Sequence, residues 1–182
     1  DPSPDLGAVR MATNRAPVFS PDGELLTEYR KIHPFGFGRE HERFVGGHEV
    51  LTYDWVGPDG RGLTVCPAIC YDLRFPELFR RGVRLGAELF ALGANWPEAR
   101  QMHWRTLLIA RAIENQAYVL GVNRVGRDPF LRYAGGSIAV DPYGTIVGEL
   151  ADEEAVLSVD VNPDAPASWR EKFSAVRDMK LM

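Results

Sequence analysis

Apolar residues fall along this chain in short blocks separated by strong turn signals. Residues 16–19 are apolar and are followed by Ser20-Pro21-Asp22-Gly23, a turn-forming run; residues 24–32 then carry polar interruptions. That pattern predicts a hairpin over 16–32. Residues 34–47 read as a loop, with four Gly, aromatics at 35, 37 and 44, and the charge run Arg39-Glu40-His41-Glu42-Arg43. Residues 50–56 predict a strand that ends in Gly57-Pro58-Asp59-Gly60. Residues 62–70 and 87–93 are nearly continuous apolar runs, which predicts strands buried on both faces. Between them, 76–83 predicts a short helix opened by Pro76. The longest helical signal spans 97–115, where Met102, Leu107, Ile109, Ala110 and Ile113 recur at helical intervals. Residues 117–125 predict a strand. Residues 136–140 and 146–150 predict a strand pair around Asp141-Pro142-Tyr143-Gly144, then a strand over 155–161 and a helix over 165–176. Alternating strands and helices followed by consecutive strands indicate an α/β layered domain with an antiparallel part.

Composition adds limits to this picture. The 182 residues are 45% hydrophobic and 25% charged, the mix of one globular domain, which excludes a disordered tail, a collagen-like repeat and a coiled coil. No apolar run approaches the ~18 residues of a membrane-spanning helix, and the first residues lack the order of a secretory signal. Lys and Arg total 21 against 25 Asp and Glu, a net charge of −4. That balance argues against nucleic acid as a partner. Arg80, Arg81 and Arg84 sit together with the spacing of a solvated helix face. Cys66 and Cys70, four apart on one extended strand, would lie ~13 Å from each other, too far for a disulfide. His33, His41, His48 and His103 show no zinc spacing. Few cysteines and no signal fit a reducing cytoplasm.

Two segments carry candidate chemistry. In Cys66-Pro67-Ala68-Ile69-Cys70-Tyr71-Asp72-Leu73-Arg74-Phe75-Pro76, a buried strand runs into Cys70 shortly before a helix. Cys70 is either an inert buried thiol or a nucleophile on a tight turn, with backbone N–H groups facing a developing oxyanion and a cation nearby favouring the thiolate. In Tyr29-Arg30-Lys31-Ile32-His33-Pro34-Phe35, Lys31 is either a surface residue or a fixed point charge for an anionic intermediate.

Together these segments resemble the nitrilase superfamily of carbon-nitrogen hydrolases, with the bacterial ω-amidase type as the nearest pattern. Tyr29 to His33 is similar to the family's lysine motif. Glu40 to Phe44 with Gly46-Gly47 is similar to its second-glutamate loop, and Ile69 to Pro76 to its nucleophile elbow. Further similarity lies in Asn95-Trp96-Pro97, His103-Trp104, the run from Ala110 to Val119, Gly135-Gly136-Ser137, Asp141 to Gly144, and Arg170 to Phe173. The resemblance covers nearly the whole chain. It implies an α/β fold, the nitrilase-type α-β-β-α sandwich, incomplete at its N-terminus. Residues 1–182 would form the C-terminal portion of a single domain.

The resemblance also implies a Glu-Lys-Cys mechanism. Cys70 would be the nucleophile, Lys31 and the Tyr71 backbone N–H would hold the oxyanion, and Glu40 would orient Lys31. Arg74 would support the elbow or meet a substrate carboxylate. Trp96 and Phe35 would wall the pocket or pack as core aromatics. His103 reads as a packing residue, and Arg111 and Glu114 as a structural ion pair. No metal or organic cofactor is implied. A homodimer is, with no membrane association. The implied substrate is a small ω-amide of a 2-oxo dicarboxylic acid. The alternatives are a nitrile or N-carbamoyl amine, or a catalytically incomplete protein. Two positions depart from the family pattern. Arg39 stands where a Gly usually precedes the second glutamate, and Gly tolerates backbone geometry that Arg resists. The general-base Glu of the family, in a Pro-Glu segment well before the lysine, has no counterpart, since neither Glu24 nor Glu28 matches it. An uncovered sheet edge and apolar surface are expected to accompany the missing strands.

Overall fold

A computed structural model describes residues 11–180. Its centre is a six-stranded sheet built from β3 (Tyr53–Val56), β4 (Gly62–Ile69), β5 (Leu89–Ala94), β6 (Tyr118–Asn123), β9 (Ile138–Val140) and β10 (Ile146–Glu149), in the order β10-β9-β6-β5-β4-β3. Strands β4, β5 and β6 are parallel neighbours, with Val65 opposite Leu89 and Leu89 opposite Tyr118. The flanking pairs β3–β4, β6–β9 and β9–β10 are antiparallel. Two hairpins stand apart from this sheet: β1 (Arg15–Phe19) with β2 (Leu25–Arg30), and β7 (Val125–Arg127) with β8 (Arg132–Ala134).

Parallel neighbours need crossover connections, and helices provide them here. Helix α1 (Pro76–Arg84) links β4 to β5, and α2 (Gln101–Asn115) links β5 to β6. Both lie on one face of the sheet. Phe79, Val83, Trp104, Leu108 and Ala112 bury against Cys66, Ala68, Phe90, Leu92, Val119 and Val140. Pro76 opens α1, where its missing N–H costs nothing. The opposite face carries Leu63, Val65, Leu89 and Tyr118, packed by Val161 and Ala165 at the start of helix α3 (Ala165–Lys172). That cover is partial: Val122, on the same face as Tyr118 by strand alternation, is 63% exposed.

Three expectations are corrected, on α2, residues 155–161 and Arg80, and one unexpected hairpin is added. The face of α2 that enters the core is Trp104, Leu108, Arg111, Ala112 and Asn115, while Met102 and Ile113 are exposed. The apolar count misplaces the stripe because two buried positions are polar: Arg111 donates to the Leu73 carbonyl, and Asn115 Nδ2 donates to the Arg111 carbonyl. Residues 155–161 form no strand: Leu157 and Val159 lie over Gly148 of β10 through side-chain contact, without ladder pairing. Hairpin β7–β8 had no apolar run to announce it. Arg80 is also drawn partly inward, donating to the Glu114 carbonyl at 2.6 Å, while Arg81 and Arg84 remain exposed.

The close approach of α2 to the sheet depends on Gly121. A Cβ there would meet Leu108 Cδ1 at 2.6 Å and Trp104 Cζ2 at 3.0 Å, both on fully buried side chains. Gly121→Ala is therefore expected to destabilise the fold by about 1–3 kcal/mol, the usual scale of overpacking. A urea titration measures this, and an unchanged midpoint would refute the close packing.

Candidate active site

The carboxyl ends of parallel strands open into a crevice where α/β folds place their ligands. Cys70 follows directly on β4, Asn95 on β5, and Asn123 closes β6. Cys70 has φ 48°, in the left-handed region that L-residues avoid at a cost of about 1–2 kcal/mol. It begins the short 3-10 turn Cys70–Arg74. A tight strand-to-turn junction with a strained residue holds the sulfur at the cavity wall, and such strain is typically found at functional positions.

Lys31 reaches the same place from the other direction. It follows β2, and its backbone is pinned on both sides: its N–H donates to the Asn14 carbonyl at 2.9 Å, and its carbonyl accepts from the Gly47 N–H at 2.7 Å. The side chain is buried, with Nζ 2.6 Å from Glu40 Oε2. Glu40 Oε2 also accepts the Phe35 N–H at 2.6 Å, and Oε1 accepts from Asn14 Nδ2 at 3.2 Å. Asn14, Lys31, Phe35, Glu40, Cys70 and Asn95 line one cavity of about 450 Å³. Within that lining, among the described residues, Glu40 is the one carboxylate. Arg39, just before Glu40, adopts φ 57°, so the chain takes the glycine-like geometry with an Arg in place.

What ties the two arms together is Asp72, a residue whose role the sequence did not disclose. It is fully buried. Its Oδ2 accepts from Tyr29 Oη at 2.8 Å and from the Ile69 N–H at 2.9 Å. Its Oδ1 accepts from the His33 N–H at 3.1 Å and lies 2.8 Å from His33 Nδ1. One carboxylate thus joins the residues on both sides of Lys31 to the turn that begins at Cys70. Burial, with Asp72 beside it, pushes the Tyr29 phenol well above its ordinary value. Helix α2 secures the far end of the turn, where Arg111 donates to the Leu73 carbonyl at 2.8 Å through Nη2 and at 3.2 Å through Nε. Arg111 also pairs with Glu114 at 2.9 Å, as expected.

A second cavity of about 220 Å³ shares Cys70, Phe35 and Asn95 with the first, and is walled by Tyr71, Arg74, Trp96, Arg100, Leu131 and Tyr133. Asn123, also unanticipated, sets its wall. It accepts the Trp96 N–H at 2.7 Å and donates through Nδ2 to the Trp96 carbonyl at 3.2 Å and the Gly135 carbonyl at 2.7 Å. Arg74 lies over the Trp96 ring at 4.8 Å. His103, expected to pack, is exposed instead, with Nδ1 3.3 Å from Arg74 Nη2. All seven expected site residues therefore line one or both cavities.

The Lys31 charge favours the Cys70 thiolate, as expected of a neighbouring cation. Burial outweighs it and holds the thiol above its ordinary value, with Glu40 and Asp72 adding to the rise. Glu40 moves the other way. Burial raises it, but hydrogen bonds from Lys31, Phe35 and Asn14, with the Lys31 charge, bring it below the ordinary carboxylate value. Burial thus disfavours the Cys70 thiolate, while Lys31 favours the ionised form of Glu40.

The sequence profile described as carbon-nitrogen hydrolase matches residues 7–171. A Yersinia enterocolitica protein named omega-amidase YafV is 40% identical over 92% of this chain and 63% of its own length. A Bacillus subtilis protein named 2-oxoglutaramate amidase is 36% identical over 87% of this chain and 60% of its own. A solved Xanthomonas campestris structure, described as a CN-hydrolase superfamily protein with an arsenic adduct in the active site, aligns with TM-score 0.84 and 40% identity. It covers 93% of this chain and 64% of that one. The chain thus spans about 60% of the length of these curated relatives. No described helix is long and apolar enough to cross a membrane.

The two thiols should separate by reactivity. Iodoacetamide modification of Cys70 is expected to rise with pH with a midpoint above that of a free thiol, because burial disfavours the thiolate. Cys66, buried and pushed up to about 12, should stay unmodified while the chain is folded. Mass spectrometry of the alkylated chain reads both sites, and a Cys70 midpoint below that of a free thiol would contradict the dominance of burial.

Proposed function

The chain belongs to the carbon-nitrogen hydrolase family, and from that premise we propose that it carries the thiol site of an amidase. The substrate is a small ω-amide of a 2-oxo dicarboxylic acid, hydrolysed to the acid and ammonia. The observation that carries this reading is the convergence of Cys70, Lys31 and Glu40 on one cavity at the carboxyl end of the sheet.

Once deprotonated, Cys70 Sγ adds to the amide carbon, and the carbonyl oxygen takes the negative charge. Lys31 Nζ and the Tyr71 N–H, at the open start of the 3-10 turn, stabilise that oxyanion. Collapse breaks the C–N bond, and ammonia leaves after its nitrogen takes up the proton that left the thiol. Water then adds to the thioester carbon, the C–S bond breaks, and acid and thiol are released. Glu40, already accepting from Lys31 and Phe35, suits the task of fixing Lys31 rather than shuttling protons. Phe35 and Trp96 wall the site, and Arg74 faces the substrate's carboxylate. The name 2-oxoglutaramate amidase borne by the Bacillus subtilis relative favours this substrate over nitriles and N-carbamoyl amines.

The same cavity favours a second reading for the 182 residues by themselves. Among the described residues Glu40 is the one carboxylate lining the cavity, and its hydrogen bonds with Lys31 and Phe35 commit it, which supports a catalytically incomplete site. Two unpaired thiols fit the reducing cytoplasm, and the homodimer implied by the family pattern belongs to the proposal.

Ammonia release from 2-oxoglutaramate by the intact protein tests the principal reading. Cys70→Ala is expected to abolish it and Lys31→Met to lower kcat about 10²–10³-fold. Undiminished release from Cys70→Ala would refute the assignment. The 182-residue chain assayed alone should turn over at least ~10²-fold more slowly than a 2-oxoglutaramate amidase under the same conditions, the scale of a lost general base. Comparable turnover would refute the second reading.

A further inference from the structure

We infer that Arg100, acting with Arg74, forms an anion subsite in the second cavity and sets the preference for amides that carry a distal carboxylate. This inference rests on the amidase reading for its substrate but on separate residues for its geometry. The 220 Å³ cavity touches Cys70, so a chain whose amide reaches the sulfur can extend into it. Its walls are mainly aromatic and aliphatic, with two guanidinium groups among them. Arg74 lies over Trp96 at 4.8 Å, and Arg100 over Phe35 at 5.8 Å. Among the described residues neither forms an ion pair, whereas Arg111 and Arg132 do. Both are only partly exposed.

Two uncompensated cations beside an apolar cavity are a poor arrangement until an anion arrives. A carboxylate suits them, because the planar guanidinium fork donates two parallel hydrogen bonds to its two oxygens. Arg100 is also well placed to act together with Arg74. Its carbonyl accepts from Trp96 Nε1 at 2.8 Å, so the indole under Arg74 also fixes the Arg100 backbone. The competing role for Arg100 is mechanical, with its stack on Phe35 steadying the loop that holds Glu40. A mechanical role would affect every amide equally; an anion subsite affects only those with a carboxylate.

The experiment compares kcat/KM of the intact protein for 2-oxoglutaramate and for uncharged valeramide, in wild type, Arg100→Gln and Arg100→Lys. The ratio of anionic to neutral amide is expected to fall about 10–100-fold in Arg100→Gln, mainly through KM, and to recover in part in Arg100→Lys. An unchanged ratio, whether both rates drop or neither does, overturns the inference and leaves the amidase reading intact. A binding arm is independent of turnover. Calorimetry of Cys70→Ala protein with glutarate should show binding that Arg100→Gln weakens at least tenfold. Should wild type hydrolyse neither amide, the amidase reading fails and this arm alone decides the subsite. Absent or unweakened glutarate binding overturns it.

Discussion

Asp72 is the constraint on which the site depends. Lys31 and Cys70 come from separate parts of the chain, one after a hairpin outside the main sheet and one at the end of its β4 strand. A fully buried carboxylate that accepts from Tyr29, His33 and Ile69 makes these two pieces a single unit. Charged acceptors give the stronger hydrogen bonds, and leaving such a group unpaired in the interior is costly. The hairpin can therefore dock in essentially one way, and Lys31 arrives beside Cys70 as a consequence.

The partly buried Lys31–Glu40 pair depends on that docking. Removing two charges from water offsets much of their attraction, so such a pair contributes more to position than to stability. Here it fixes the cation at the cavity wall and keeps Glu40 ionised. Strain at Cys70 and Arg39, both in the left-handed region, is tolerated because the surrounding hydrogen bonds over-determine these turns. Asn123 does comparable work in the second cavity, holding Trp96 and Gly135 so that the wall beneath Arg74 stays in place.

Much of the fold was legible in the sequence because its signals are local. The buried runs of β4 and β5, the Pro76 start of α1 and the three Gly-containing turns all depend on neighbours within a few residues. The seven residues that the family motifs single out all line one or both cavities. The failures share a non-local cause. The Arg111 guanidinium and the Asn115 Nδ2 are buried on α2 because Leu73 and the helix itself supply acceptors, which an apolar count cannot register. Residues 155–161 alternate like a strand, yet their side chains pack over Gly148 instead of pairing. Asp72 sits inside a quoted motif, but its partners Tyr29 and His33 lie 43 and 39 positions away. The thiol's protonation state depends on burial, which local sequence does not report.

A double-mutant cycle between Tyr29→Phe and Asp72→Asn, read by urea denaturation, measures the coupling between hairpin and elbow directly. Both substitutions nearly preserve shape: Tyr29→Phe removes the donor of one hydrogen bond, and Asp72→Asn removes the charge and one acceptor oxygen from the network. Residues in contact within a buried network couple by about 0.5–3 kcal/mol, and a value toward the upper end is expected here. Additive losses, with coupling under about 0.5 kcal/mol, would contradict the role of Asp72 as the group that holds Lys31 to Cys70.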